Sequence, residues 1–200
     1  MLAIPQILIL AAGASKRMRG ADKLLEVIDG VAQIRRIADM ALDTGADVYV
    51  ALSPDHPLRA AALRNLPLKV LQIADAAQGM AASIRTANAA IPAGPIMLLL
   101  ADLPEITTAD LQQMIAAYSD QTSILRGTAA DGTPGHPVIL PDWLRPELAT
   151  LIGDKGAHAV LQRHATGVRH IALPANHAIT DLDTPEDWAA WRAQMGRTVG

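Results

Sequence analysis

The stretch from Leu8 to Leu25, LILAAGASKRMRGADKLL, joins an apolar run to a turn of small residues and a cluster of cations. The turn is Ala11-Ala12-Gly13-Ala14-Ser15, and four cations follow it within eight positions, with one acid, Asp22, among them: Lys16, Arg17, Arg19 and Lys23. Backbone N–H groups in such a turn can bind an anion. The pattern therefore indicates a strand that delivers a turn and positive side chains to a polyphosphate. The alternative is an ordinary tight turn with a solvated basic face.

Two familiar phosphate-binding loops do not fit this turn. A Walker A loop needs glycine followed by lysine and a hydroxyl residue, and no Gly-Lys pair occurs in the chain. A dinucleotide-binding loop needs three glycines in the spacing G-x-G-x-x-G, whereas Gly13 is followed by Ala14, Ser15 and Lys16. The turn therefore belongs to neither class of loop, and only its small residues and the cations that follow it indicate an anion site.

Carboxylates occur at two other positions where they could hold a metal ion. Asp102 follows the apolar run 96–101, and an acid at the carboxyl end of a parallel strand faces the ligand crevice of an open α/β sheet. Asp181 and Asp183 flank a strand-to-helix junction, where alternate residues point the same way. Magnesium on a nucleotide takes one or two carboxylates together with phosphate oxygens. The alternatives are a turn residue before Pro104 and helix-capping chemistry at 181–187.

Three further segments are weaker candidates for ligand contacts. Gln78-Gly79-Met80-Ala81-Ala82-Ser83 opens a predicted helix, where small polar groups could contact a base or a ribose. Gly135-His136-Pro137 places a histidine in a predicted loop, and Gly153-Asp154-Lys155-Gly156 places a cation near a helix start. Taken singly, each segment is explained as well by local turn chemistry.

Short apolar runs alternate with amphipathic stretches along the chain, which is typical of βαβ units on a largely parallel sheet. The continuous hydrophobicity of the runs suits strands covered by helices on both faces. We therefore predict a three-layer α/β/α fold with a mostly parallel, mixed and twisted sheet, in one domain over residues 1–200. The predicted strands are 6–11, 47–52, 68–72, 96–101, 122–126, 138–140 and 168–173, and the predicted helices are 32–43, 57–66, 79–90, 107–118, 142–151 and 155–164, with a closing helix from Thr184.

Two predictions concern the second half of the chain. The segment Gly127–Pro137 contains three glycines and two prolines and is predicted to be a loop. Trp188, Trp191 and Met195 share one face of the closing helix, and we expect this face to pack onto the sheet.

Composition excludes several classes of function. A net charge of −3 and an aromatic content of 2% argue against nucleic-acid binding. Cysteine is absent, which excludes a thiol nucleophile and a zinc–thiolate site. The apolar runs are too short to span a membrane, and no signal-peptide pattern precedes the first strand, so we expect a cytoplasmic protein.

Six ordered motifs together resemble the nucleotidyltransferases of the molybdenum cofactor group, a branch of the glycosyltransferase-A-like nucleotidyltransferase superfamily. They are LAAGASKRMRGADKLL, QGMAAS, ADLP, GTPGHPV, GDKGAH and DLDTPEDW. The resemblance covers nearly the whole chain and implies a nucleotide-diphospho-sugar transferase-like, Rossmann-like fold. It departs from the commonest pattern in Met18-Arg19-Gly20, where an arginine precedes the glycine, and in Val31-Ala32-Gln33, where a proline–leucine pair is usual.

The resemblance also implies a role for each motif. Nucleoside triphosphate would bind to the first loop and to the start of the third helix, through Ala11, Ala12, Gly13, Arg17, Lys23, Gln78, Gly79 and Ser83. Arg17, Lys23 and Asp102 would be catalytic, and Asp102 with Asp183 would hold Mg²⁺, with Asp181 as the alternative second ligand. His136 and Lys155 would face the acceptor.

The substrates follow from finer features of the resemblance. Leu10-Ala11-Ala12-Gly13 looks like the cytidylyl-transferring members, whereas guanylyl-transferring members more often carry a second glycine. The implied reaction transfers CMP from CTP to molybdenum-molybdopterin and releases pyrophosphate, with a recipient molybdoenzyme as a further partner. The alternatives are GTP as donor, a sugar or alcohol phosphate as acceptor, and a non-catalytic protein that binds or delivers the cofactor.

Overall fold

A computed structural model describes residues 4–153 and 156–196 of the chain. Its strands are β1 Gln6–Leu10, β2 Val27–Ile28, β3 Val31–Ala32, β4 Val48–Leu52, β5 Lys69–Gln72, β6 Ile96–Leu100, β7 Ile124–Thr128, β8 Pro134–Leu140 and β9 Val168–Ala172. Its helices are α1 Gln33–Leu42, α2 Pro57–Ala62, α3 Met80–Ala90, α4 Thr108–Ala117, α5 Arg145–Leu148, α6 His158–Arg163 and α7 Pro185–Gln194.

Seven strands form one mixed sheet in the order β5-β4-β1-β6-β8-β7-β9, and β2 pairs with β3 in a separate small hairpin. Strands β1, β4, β5 and β6 are parallel neighbours, and β7 is parallel to β9. Strand β8 is antiparallel to both β6 and β7. The amino end of β8 therefore lies beside the carboxyl end of β6, at the edge where open α/β sheets bind ligands.

Helices cover both faces of the sheet because successive strand residues point to opposite sides. Ile7 and Ile9 of β1 face a core shared with α1 and α4, whereas Leu8 faces a second core shared with α3, α5 and α6. Ile7, Leu8 and Ile9 are all fully buried. The predicted three-layer α/β/α fold with a mostly parallel, mixed sheet is confirmed.

The predicted loop over Gly127–Pro137 is wrong at both ends. Strand β7 continues to Thr128, and β8 begins at Pro134. The register between the two strands shifts between Arg126 and Thr128, which accommodates the glycine-rich segment within the pairing. Gly127 and Gly135 also lie against neighbouring backbone, because an added Cβ would meet the carbonyl oxygen of His136 at 2.9 Å or that of Ala178 at 2.0 Å. These glycines permit close packing of strands and loop rather than a turn.

Several helices are shorter than predicted. Helix α2 ends at Ala62, and the predicted helix over 142–151 is a single 3₁₀ turn followed by the four-residue α5. Capping boxes begin α4 at Thr107 and α7 at Thr184. Within the described ranges, no helix combines the length and apolar character that a membrane crossing requires.

The closing helix α7 does not pack onto the sheet as expected. Trp188 and Trp191 are buried in a separate cluster with Met18, Ile28 and Leu182, and Met195 is exposed. The two indole rings meet edge to face at 6.0 Å between centroids. Helix α7 is therefore fixed to the cation-rich loop after β1 and to the β2–β3 hairpin.

Candidate functional site

The candidate site lies where the carboxyl ends of β1 and β6 meet. The loop that carries the cations leaves β1 after Leu10, and Asp102 follows β6. Leu10 and Leu100 are paired neighbours in the sheet, so both segments start side by side. The segment before α7 brings Asp183 to the same place, because α7 is attached to Met18 of the loop.

Lys23 lies between the two carboxylates that the sequence analysis singled out. Its Nζ atom donates to Oδ2 of Asp102 at 2.5 Å and to Oδ1 of Asp183 at 2.7 Å. The three side chains are 15%, 16% and 18% exposed, so the charges are partly shielded from water. Burial alone lowers the pKa of Lys23, but the two carboxylates outweigh it, and the pKa lies above its ordinary value of 10.5. Lys23 is therefore fully charged at neutral pH.

The four cations of the loop divide into two groups. Arg17 contacts the second oxygen of Asp183, with Nη2 2.6 Å from Oδ2, while its own side chain is 69% exposed. Arg19 pairs with Glu186 at the exposed start of α7, and Lys16 is exposed. Arg17 and Lys23 thus contact the carboxylates, whereas among the described residues neither Arg19 nor Lys16 forms an ion pair with Asp102 or Asp183. Although it is paired with Asp183, the largely exposed Arg17 guanidinium is accessible to an anionic ligand.

The turn after β1 presents its backbone to solvent. Ala11 and Ala12 are buried beneath it, whereas Gly13 and Ala14 are exposed. Within the described part of the chain, the N–H groups of residues 13–17 have no hydrogen-bond partner. A Cβ at Gly13 would meet no atom within 4 Å, so the space above the turn is open. Consecutive free N–H groups in a turn form a site for an anion.

Arg59 of α2, which the sequence analysis did not select, lies directly beneath this turn. Its side chain is 0% exposed, and it donates to the carbonyls of Ala11 and Gly13 and to both carboxylate oxygens of Asp22. No motif marks the residue, because it lies in Pro57-Leu58-Arg59-Ala60-Ala61, far from the loop in sequence. A single arginine among small and apolar residues of a short helix was the available signal.

The carboxylate pair fits a divalent cation that arrives with a nucleotide. Asp102 and Asp183 each place a carboxylate oxygen within 2.7 Å of the Lys23 Nζ atom, so both could supply oxygen ligands to one cation. Burial and the charges of these two carboxylates raise the pKa of Asp181, which places a third acid near the pair. Over residues 4–153 and 156–196, no group of three or more His, Cys, Asp or Glu side chains is arranged to hold a metal by itself. One or two carboxylates are sufficient for a Mg²⁺ ion that also binds phosphate oxygens.

The predicted nucleotide contacts at the start of α3 lie beside the turn, since Ala81 and Ala82 share an apolar cluster with Ala12. Gly79 has φ +97°, a backbone conformation that favours glycine, and it directs the chain into α3. Gln78 is exposed and accepts a hydrogen bond from Arg85, while Ser83 is buried with 4% exposure. Contact of this segment with a base or ribose stays a prediction.

His136 lies at the amino end of β8, close enough to Asp102 for the carboxylate charge to affect the pKa of the imidazole. Its Nδ1 atom is buried and has no hydrogen-bond partner among the described residues. Burial lowers the pKa of His136 to about 4, and Arg126 acts in the same direction, while the Leu98 carbonyl and Asp102 oppose the change. The ring is therefore neutral at pH 7. Lys155, the other predicted acceptor contact, lies outside the described residues.

Solved structures similar to this chain include Rv0371c from Mycobacterium tuberculosis H37Rv, at 29% identity and a TM-score of 0.80, covering 94% of this chain and 98% of that one. A second structure of Rv0371c, in complex with manganese, matches at 26% identity, a TM-score of 0.76 and coverages of 94% and 97%. A homolog from Mycobacterium sp. strain JC1 matches at 27% identity, a TM-score of 0.82 and coverages of 96% and 96%.

The fold is also shared with CMP:2-keto-3-deoxy-manno-octonic acid synthetase complexed with CTP, at 16% identity, a TM-score of 0.76 and coverages of 97% and 99%. This likeness shows a nucleotide-diphospho-sugar transferase-like architecture. A comparison with curated protein sequences finds no significant match. The sequence model of the MobA-like NTP transferase domain matches residues 7–168, more than half of the chain. The protein therefore belongs to the MobA-like NTP transferase family and is a nucleotidyltransferase.

Proposed function

We propose that the protein is a Mg²⁺-dependent cytidylyltransferase that transfers CMP from CTP to molybdenum-molybdopterin, giving molybdopterin cytosine dinucleotide and pyrophosphate. The observation that carries the proposal is the meeting of Lys23 and Arg17 with the Asp102–Asp183 carboxylate pair beside an open turn of free N–H groups. The proposed location is the cytoplasm, and the proposed partner is a recipient molybdoenzyme.

The chemistry needs no general base on the protein. A phosphate monoester has a second pKa of about 6, so the terminal phosphate of the acceptor is already ionised at neutral pH. One of its oxygens forms a bond to the α-phosphorus of CTP, and the bond from the α-phosphorus to the bridging oxygen of the β-phosphate breaks. The electron pair leaves with pyrophosphate. Catalysis then consists of positioning the phosphates and neutralising their charge.

Each charged residue has a proposed part in that step. Asp102 and Asp183 would hold Mg²⁺, which supplies positive charge to the phosphate oxygens when it is bound, and the manganese complex of Rv0371c supports a divalent cation. Lys23 would leave the carboxylates and, with Arg17, stabilise the charge that develops on pyrophosphate. The free N–H groups of residues 13–17 would bind the phosphates.

His136 and the start of α3 would serve the remaining parts of the two substrates. A neutral imidazole at pH 7 can form a hydrogen bond to the acceptor without adding charge, and the buried Nδ1 of His136 lacks a partner among the described residues. Gln78, Gly79 and Ser83 would contact the base and ribose. Lys155 is proposed as a second acceptor contact on the basis of its motif alone.

CTP is proposed as donor because Leu10-Ala11-Ala12-Gly13 lacks the second glycine that is more frequent in guanylyl-transferring members. The decisive experiment measures pyrophosphate release with CTP and with GTP, each with and without Mg²⁺ and molybdenum cofactor. We expect release only with CTP, Mg²⁺ and the cofactor together. Release with GTP but not with CTP would refute CTP as the donor. Release with a sugar or alcohol phosphate in place of the cofactor would refute molybdenum-molybdopterin as the acceptor.

Membership of the family and the presence of both cations and both carboxylates favour an enzyme over a non-catalytic delivery protein. Isothermal titration distinguishes the two. An enzyme of the proposed kind binds CTP more tightly with Mg²⁺ than without it. Metal-independent binding with no turnover on any acceptor would instead support the delivery protein.

A further inference from the structure

Arg59 has all of its hydrogen-bond donors satisfied by the loop that follows β1. A guanidinium has five N–H donors. Nη1 donates to the carbonyls of Ala11 at 2.6 Å and Gly13 at 2.7 Å, and Nη2 donates to Oγ of Ser15 at 2.9 Å. Nε and Nη2 bind the two oxygens of Asp22 at 2.7 and 2.8 Å. One buried side chain therefore joins the beginning, the middle and the end of the loop.

These contacts determine which way the loop backbone faces. Because the carbonyls of Ala11 and Gly13 point inward to Arg59, their partial negative charge is removed from the space above the turn. The N–H groups of residues 13–17 are left without partners in the described chain. Ser15 is held at φ +47°, a conformation uncommon for residues other than glycine. Arg59 thus supports a backbone shape that suits an anion.

Stability alone does not explain this arrangement. Taking an ion pair such as Arg59–Asp22 out of water is costly, and well-packed apolar residues in its place are often equally stable or more stable. Asp22 is ionised in the pair: burial acts to raise its pKa, but the hydrogen bond and charge of Arg59 lower it overall. An apolar pair could fill the same volume but could not bind the two carbonyls and the Ser15 hydroxyl. Those three hydrogen bonds hold the backbone of the loop in its shape.

We propose that Arg59 is a positioning residue of the triphosphate site, which orients the N–H groups of residues 13–17 toward the phosphates without touching them. The proposal rests on the proposed nucleotidyl transfer but not on the identity of the base or acceptor. It assigns to α2, which carries none of the sequence motifs, control over the affinity of the site for phosphate chains. The effect should depend on the phosphates of a ligand and not on its base.

The test measures binding of inorganic tripolyphosphate and of cytidine to the whole protein, with Mg²⁺ present. Arg59→Met is combined with Asp22→Asn, so that no charge is left buried and unpaired. Arg59→Lys provides a second variant that keeps the charge but has fewer donors. We expect tripolyphosphate to bind at least about tenfold more weakly to the double variant, with Arg59→Lys between it and the wild type. Cytidine affinity should not change.

Arg145→Met is the matched control. Arg145 also binds carbonyls, those of Asn88, Ile91, Pro92 and Gly94, but at the opposite edge of the sheet, before β6. Arg145→Met should lower the melting temperature of the protein without changing its affinity for tripolyphosphate. The proposal is overturned if folded Arg59 variants bind tripolyphosphate within about twofold of the wild type, or if cytidine affinity falls equally. A wild-type protein that binds no tripolyphosphate would instead refute the proposed function itself.

Discussion

Replacement of Lys23 by methionine should have opposite effects on metal binding and on turnover. The Lys23 ammonium contacts both Asp102 and Asp183, the two carboxylates proposed to hold the metal cation. A divalent cation must therefore displace Lys23 from both carboxylates. Lys23→Met has a similar length but no charge, so it removes the competitor and leaves the carboxylate pair in place.

The structure gives the size of the effect. Hydrogen bonds to charged groups contribute about 1.5–3 kcal/mol, and every ~1.4 kcal/mol corresponds to about tenfold in affinity. Since Lys23 is only 15% exposed, its contacts are partly shielded from water, and we expect the range to apply. Repulsion between the uncovered carboxylates acts in the same direction. Nucleotide-free Lys23→Met should therefore bind Mn²⁺ about 10- to 100-fold more tightly than the wild type.

Turnover should fall in the same variant, by about 100-fold or more, because a preorganised charge on the phosphates is lost. The assay is a titration of Mn²⁺ followed by electron paramagnetic resonance, paired with measurement of pyrophosphate release. Lys69→Met is the control, because Lys69 is an exposed lysine at the amino end of β5, outside the cation-rich loop, and should change neither quantity. If Lys23→Met binds Mn²⁺ no more tightly than the wild type, Lys23 does not occupy the metal site and the reasoning is wrong.

Three further predictions concern other parts of the site. Asp183→Asn should lower turnover by about 100-fold or more while Asp181→Asn lowers it by less than about tenfold, since Asp183 is the acid bonded to Lys23 and Arg17. Steady-state pyrophosphate release compares the two, and equal losses would contradict the assignment. As pH falls from 6.5 to about 4, the unfolded chain takes up a proton at His136 that the folded protein resists, so stability should decrease by roughly 3 kcal/mol. Urea denaturation should show this loss in the wild type and not in His136→Asn. Trp188→Ala should lower the free energy of unfolding by about 3–5 kcal/mol. Trp188→Phe should lower it by clearly less, because the buried Nε1 has no hydrogen-bond partner in the described chain. Equal losses of stability in urea denaturation would show that the indole N–H contributes to stability.

The meeting of Asp102 with the loop that carries Lys23 follows from rules that can be applied to the sequence. Apolar runs predict β1 and β6, and the carboxyl ends of parallel strands meet at one edge of a sheet. Asp102, which comes soon after β6, and the loop that leaves β1 are therefore brought together, because the two strands are neighbours. The place of Asp183 does not follow from this rule. The Thr184 capping residue marks where α7 starts, but the position of that helix depends on its packing against Met18.

The parts that sequence analysis missed depend on contacts between distant segments. The pairing of β7 with β8 was not predicted, because the glycines and prolines in Gly127–Pro137 are typical of loops. In the structure these glycines allow neighbouring segments to lie close together. Arg59 has no local signal, because its partners Ala11, Gly13 and Asp22 lie on another segment. Periodicity predicted a buried face on α7 but does not specify which surface that face meets.

The surface that α7 meets connects the two halves of the site. Its tryptophans pack on Met18, which lies between Arg17 and Arg19, so the helix that follows Asp183 is held against the cation loop itself. Arg192 near the other end of α7 pairs with Glu26 at 2.6 Å and adds a second link to the segment after Lys23. The family match ends at residue 168, before this helix begins. The distance from Asp183 to Lys23 therefore depends on apolar packing between α7, which lies outside the matched region, and Met18 and Ile28, which lie within it. Substitutions in that packing should alter the proposed metal site without replacing any charged residue.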